Sequence, residues 1–203
     1  LVLLGWSPRG DKAEQEIFSL SELAEAFDIT GISKSPAIFD IEKLTHFNAL
    51  YLRAMTAEQF HAVAEPYIRQ AIQNPSISTA AVAALLQARC EKLTDIPEKI
   101  GFFETLPEYE KDLFTNKKSK STLETAKTAL EFVKPILESI DEWTEVKLHD
   151  VIMEAIPQTG MKNATVLWPL RIAVTGKLNA PDLYTVMQLL GTDRVFARLD
   201  AYV

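Results

Sequence analysis

The sequence predicts an all-α fold, an irregular helical bundle of two packed helical subdomains. Three observations predict it. Apolar residues recur at steps of three and four from residue 40 onward, the spacing of one helix face. Cap-forming residues and prolines bound several of these stretches. No alternating apolar–polar run of useful strand length interrupts them. The chain has 203 residues, 47% hydrophobic and 24% charged, an ordinary balance for a globular protein long enough to bury one large core or two small ones.

Taken in chain order, "NPSISTAAVAALLQARC" opens with Asn74 and Pro75, read as a helix cap and first helical residue. In "STLETAKTALEFVKPILESI", Leu123, Ala126, Leu130, Val133, Leu137 and Ile140 form one stripe. Ser121 and Glu124 have the spacing of a capping box at its start, and Pro135 is expected to kink it because it lacks an N–H and crowds the preceding turn. "EVKLHDVIMEAI" places Leu148, Val151, Ile152, Ala155 and Ile156 on one face and ends at Pro157. "PDLYTVMQLL" is stopped by Gly191, and "DRVFARLDAYV" follows as a last helix. The uneven lengths exclude a solenoid repeat. Turn formers and charge in 101–121, and a second soft point near Arg53, divide the chain into 1–53, 54–105 and 106–203.

The single cysteine, Cys90, excludes an internal disulfide and a cysteine-based zinc site, and fits a reducing compartment. His46, His61 and His149 lie in separate segments without a second ligand at metal spacing, so they read as structural or surface side chains. The seven glycines are scattered, with no phosphate loop among them. No catalytic, metal or cofactor constellation emerges. No apolar run approaches the roughly 18–20 residues that span a bilayer. The opening "LVLLGWSPRG" lacks the basic start and small-residue cleavage site of a signal peptide, and reads as the edge of something cut from a longer chain. Net charge is −7, but it is unevenly spread. Residues 160–203 hold five cations against three acids, and "TNKKSKST" at 115–122 is a second basic cluster.

"GISKSPAIFDIEKL" contains Ser33-Lys34-Ser35, similar to the Lys-x-Ser-Lys-Ser loop with which class I aminoacyl-tRNA synthetases hold ATP phosphates. The first lysine of that loop is replaced by Gly31, and its His-x-Gly-His partner is absent. A different likeness covers essentially the whole chain. "LLGWSP", "EIFSLSELAEAFDI", "SKSPAIFDIEKLTHFNALYL", "ARCEKLTDIPEK" and "WPLRIAVTGKLNAPDLYTVMQLLGTDRVFARL" follow, in order, the segments after the catalytic loop of bacterial-type glutamyl-tRNA synthetases. Single motifs are weak; five in order are specific. The chain resembles the C-terminal region of that class I family.

The resemblance implies a stem-contact tail at 1–53 and two anticodon-binding helical subdomains at 54–105 and 106–203. It implies a glutamate–tRNA ligase as parent, cytoplasmic and monomeric. ATP and Mg²⁺ would belong to an upstream catalytic domain, with no cofactor in this region. The partner is the anticodon loop and stem of glutamate tRNA, with neither DNA nor membrane. Arg89 matches the arginine that reads the third anticodon base in glutamate-discriminating members, and Arg171 the family's Pro-Leu-Arg arginine. Ala180, Pro181 and Leu183 fall on the turn that receives the other bases. Asp182 stands where a Gly is usual, Ala180 where a Thr is common, and His46 where a Trp is usual.

With Pro181 as first helical residue, Ala180 becomes an N-cap without a side-chain acceptor, leaving the amides of Asp182 and Leu183 open to a base or phosphate, with Asp182 as their competitor and Asn179 as another cap. Arg89 prolongs the Val82–Leu85 stripe, so its guanidinium emerges from packed surroundings or forms an internal ion pair. Two alternatives stand beside this reading: a protein-interaction module of the same fold without RNA binding, and a synthetase that also charges glutamine tRNA.

Overall fold

The computed structural model describes residues 5–34 and 39–202. Ser35, the last residue of the Ser-Lys-Ser stretch, lies outside the described residues. The described residues form ten α-helices and no strand beyond two isolated bridges. The chain divides into two compact units, Leu1–Ala54 and Met55–Val203.

The first unit holds α1 (Leu20–Ala26) and α2 (Ile41–Ala54). A reciprocal capping box between Ser19 and Glu22 starts α1. Trp6 is buried, donates from Nε1 to the carbonyl of Asp28 at 2.8 Å and packs on the Phe27 ring. Gly31 closes against it: a Cβ there would stand 2.6 Å from both Trp6 Nε1 and the Ser7 carbonyl. The position where an ATP loop requires lysine has no room for a side chain. The Tyr51 hydroxyl donates to the Phe18 carbonyl at 2.7 Å and ties α2 to this hub.

The second unit begins with α3 (Ala57–Ala71), capped by Thr56 and Gln59. Phe60, Ala64, Ile68 and Ile72 form a stripe at intervals of four, fully buried against α4 (Thr79–Gln87) and α5 (Ile96–Ile100). His61 is within 3.0 Å of the Thr79 hydroxyl, which donates to Glu65. The α4 start differs from expectation. The Asn74 side chain accepts the Ser76 amide in a local turn, so the cap passes to Ser78 and Pro75 stays outside the helix.

The connecting segment 101–121 is strongly anchored. Phe102, Phe103 and Phe114 are all buried. It leads into a tight loop in which Asn116 and Ser121 exchange backbone hydrogen bonds at 2.9 and 3.0 Å. That pairing commits the Ser121 backbone, so Thr122 rather than Ser121 caps α6 (Leu123–Glu138), and Thr125 rather than Glu124 completes the box. The helix continues through Pro135. The predicted α6 stripe is buried except at its first residue, Leu123, which is exposed.

Helices α7 (Glu145–Ala155), α8 (Asn163–Thr175), α9 (Leu183–Leu190) and α10 (Thr192–Asp200) complete the unit. α8 runs at its centre, packed on α6 and α10, and Trp168 Nε1 donates to the Leu113 carbonyl at 2.8 Å. Gly176 ends α8 in the left-handed region at φ 63°, where a Cβ would strike Pro107 Cγ at 2.7 Å. From α10, Arg194 donates to the Phe103 carbonyl at 2.7 Å and the buried Arg198 donates to the carbonyls of Val174 and Phe102. These bonds fasten the last helix to α8 and to the 101–105 segment.

Candidate nucleic-acid interface

Two elements far apart in sequence build the site. The first is the end of α4. Leu85 and Leu86 occupy its last turn, and Arg89 follows in the turn beyond, its amide donating to the Leu86 carbonyl at 2.9 Å. Packing of α4 on α3 fixes this turn, leaving the Arg89 side chain exposed. Among the described residues Arg89 enters no salt bridge, so the internal ion pair weighed from sequence does not form.

The second element is the turn between α8 and α9. Arg171, half-buried on α8, donates from Nη1 to the carbonyls of Ala180 at 3.0 Å and Pro181 at 2.9 Å. One guanidinium nitrogen thus holds the turn against its own helix. Ala180 and Pro181 are themselves buried.

The start of α9 corrects the expected cap. Asp182, not Ala180, is the N-cap, and the first helical residue is Leu183, not Pro181. The Asp182 carboxylate accepts the amides of Tyr184 and Thr185, both at 3.0 Å, and the Thr185 hydroxyl at 3.1 Å. The cause is ordinary competition: a carboxylate caps a helix far better than an alanine, and its charge suits the positive helix end. Asp182 therefore engages amides in the first turn of α9. Leu183 buries its side chain in the core.

Arg89, Ala180 and Pro181 line one cavity of about 250 Å³. Leu85, Leu86, Cys90 and Ile96 form much of its floor, with Lys99 and Asn179 at another side. The lining is mostly apolar with cations at the margin, suited to a flat ring that carries acceptors on its edge. Burial pushes the Arg171 guanidinium below its ordinary pKa; Asp182 opposes that shift, and the nearby positive charge of Arg89 adds to it. Arg89 and Lys99 put positive charge at this cavity, which favours an anionic partner. Burial also pushes the Cys90 thiol up, which makes it a wall rather than a nucleophile.

Among the expected site residues, Arg89, Ala180 and Pro181 converge, Arg171 supports them from behind, and Leu183 anchors the turn. Sequence reasoning passed over Lys99. Its signal was its place in "IPEKI", a short helix directly after the Arg89 segment. No group of three His, Cys, Asp or Glu side chains suited to a metal occurs among the described residues.

A family model described as "Anticodon binding domain" matches residues 56–203, the stretch that contains this cleft. The chain belongs to the anticodon-binding domain family. The relatives agree. A glutamate–tRNA ligase of Clostridium tetani is 41% identical over 200 residues, covering 98% of this chain and 40% of the relative. One from Clostridium acetobutylicum is 36% identical over 200 residues, 98% of this chain and 41% of the relative. The chain thus spans about two-fifths of the length of the curated relatives it matches. Its fold is similar to a crystal structure of a glutamate tRNA ligase from Elizabethkingia meningosepticum in complex with its amino acid, with TM-score 0.78 and 24% identity over 98% of this chain and 39% of that one. In this anticodon-binding domain, the conformation of the cleft rests on the Arg171 clamp and the Asp182 cap. No helix among the described residues is long and apolar enough to cross a membrane.

Proposed function

We propose that this chain is the tRNA-reading part of a glutamate–tRNA ligase that selects glutamate tRNA by its anticodon. ATP- and Mg²⁺-dependent glutamylation is carried out by a part of the parent protein that this chain does not span. The parent acts in the cytoplasm as a monomer. The 54–105 subdomain contributes Arg89 and the 106–203 subdomain contributes the Ala180–Pro181 turn, Leu183 and Arg171. The observation that carries the reading is the meeting of Arg89 with that turn around one cavity.

Chemistry supplies the rest. Unstacked loop bases present their pairing edges to side chains and stack on apolar walls. Arginine only donates, so it favours two adjacent acceptors. Cytosine offers O2 and N3; guanine presents N1–H and N2–H in their place. Glutamate and glutamine anticodons differ in this way at the third base, so Arg89 at the cavity margin prefers the first.

The acidic net charge favours the rival reading, a protein-interaction module without RNA binding. Filter binding of glutamate tRNA at low and high salt separates them. The expected outcome is weak binding that falls as salt rises, by roughly 0.7 in the log–log slope per single-strand phosphate contact. No binding at low salt would hand the fold to the rival.

A further inference from the structure

The Arg89 cavity does not end at its own wall. A second cavity of about 360 Å³ shares Lys99 and Asn179 with it and continues to Lys177 and Leu178. Lys99 is exposed on α5, and Lys177 is half-buried just past the end of α8. Among the described residues neither lysine enters a salt bridge. The Lys177 amide donates to the Thr175 hydroxyl at 3.1 Å, and that hydroxyl donates to the Arg171 carbonyl at 2.7 Å. Lys177 is thereby fixed to the helical turn that carries the Arg171 clamp. Leu178 is 49% exposed in the same cavity.

We propose that this second cavity is a phosphodiester site, in which Lys99 and Lys177 hold the RNA backbone of the nucleotide adjoining the base read at Arg89. The inference rests on the anticodon-reading function proposed above and adds where the strand runs. Residue chemistry divides the labour. Arginine's planar fork suits the edge of a base, whereas lysine's compact ammonium serves a phosphate as a point charge. Leu178 gives the ribose an apolar surface. Glu98 also lines this cavity and opposes a phosphate, so its charge restrains the affinity of the site.

Fluorescence-anisotropy titrations of the 203-residue chain test this, using anticodon stem-loop RNAs that differ only at the third anticodon base, over a series of potassium chloride concentrations. Lys99→Ala and Lys177→Ala are each expected to weaken every stem-loop by the same factor and to reduce the salt slope by about 0.7, and together by about 1.4. Glu98→Gln should tighten all of them. Thermal melts establish that each variant is folded, with Lys99→Gln and Lys177→Gln as substitutes for any alanine variant that is not. An unchanged slope in the double variant overturns the phosphodiester site, as does a loss that depends on the third base. A wild-type chain that binds no stem-loop at low salt instead overturns the anticodon-reading function, and this site falls with it.

Discussion

Arg89 owes its availability to a helix that stops one turn early. α4 ends at Gln87, and the turn beyond carries the guanidinium outward while Leu85 and Leu86 stay in the cavity wall. A donor-only group at the edge of an apolar cavity discriminates by what it leaves unpaired. Guanine donors facing it are stranded at a cost of about 1–3 kcal/mol each, enough for tenfold discrimination or more. Arg89→Gln, which donates and accepts, is expected to narrow the preference for glutamate over glutamine tRNA in the full-length parent enzyme, read as the ratio of the two kcat/KM values. An unchanged ratio would reduce Arg89 to a surface cation. Cys90, one residue on, offers a local control. Its buried, up-shifted thiol should alkylate at about pH 8 more slowly than free cysteine, and urea unfolding should restore the ordinary rate.

At the scale of elements, the α8–α9 turn is held from both ends, by Arg171 on its carbonyls and by Asp182 at the helix start. The two restraints separate experimentally. Asp182→Ala should cost about 0.5–2 kcal/mol in urea unfolding, while Asp182→Gly should cost only a few tenths, because glycine is itself an acceptable N-cap. Equal losses in the two variants would mean that the carboxylate acts through charge rather than through the cap. Arg171→Ala should weaken RNA binding by about 1–3 kcal/mol, the scale of leaving the Ala180 and Pro181 carbonyls without their donor and releasing the turn that lines the cavity. The helical fold was legible in the sequence because apolar spacing survives without coordinates, and Arg89, Ala180 and Pro181, which meet at one cavity, were reached only through ordered motifs shared with a family. Helix starts were less legible. Ser-x-x-Glu forms a capping box at Ser19–Glu22, yet the same pattern fails at Ser121–Glu124, where Ser121 is committed to pairing with Asn116. Asn74 fails similarly, its side chain being consumed by a local turn. Local rules misjudge a start whenever a competing hydrogen bond, invisible in a linear pattern, has claimed the cap. Lys99 was not singled out and Lys177 counted only among the cations of 160–203, because only folding brings the two to one cavity.

For the whole molecule, the groups that burial perturbs lie mostly on the alkaline side. Desolvation raises the Cys90 thiol and the phenols of Tyr109, Tyr184 and Tyr202 above their ordinary values. Each stays neutral longer in the folded chain than in the unfolded one, which therefore releases its protons first as pH rises. Fewer protons on the unfolded state means that stability falls with pH. The contribution is intact below the unfolded values of about 8.5 for the thiol and 10 for the phenols, and is lost as pH climbs through the higher folded values. Lys134, raised by its bond to Asp200, acts in the same direction. Arg198 opposes them. Burial lowers it to about 10, so between there and its ordinary value the unfolded state holds the extra proton and stability gains with pH. Between about pH 8.5 and 10 the loss therefore comes chiefly from the thiol, and above 10 the phenols join it while Arg198 offsets them. Urea midpoints measured across that window should fall steadily, and Cys90→Ala should remove most of that decline. A flat profile would mean that the thiol ionises as freely in the folded chain as in the unfolded one, and that the wall of the Arg89 cavity admits water.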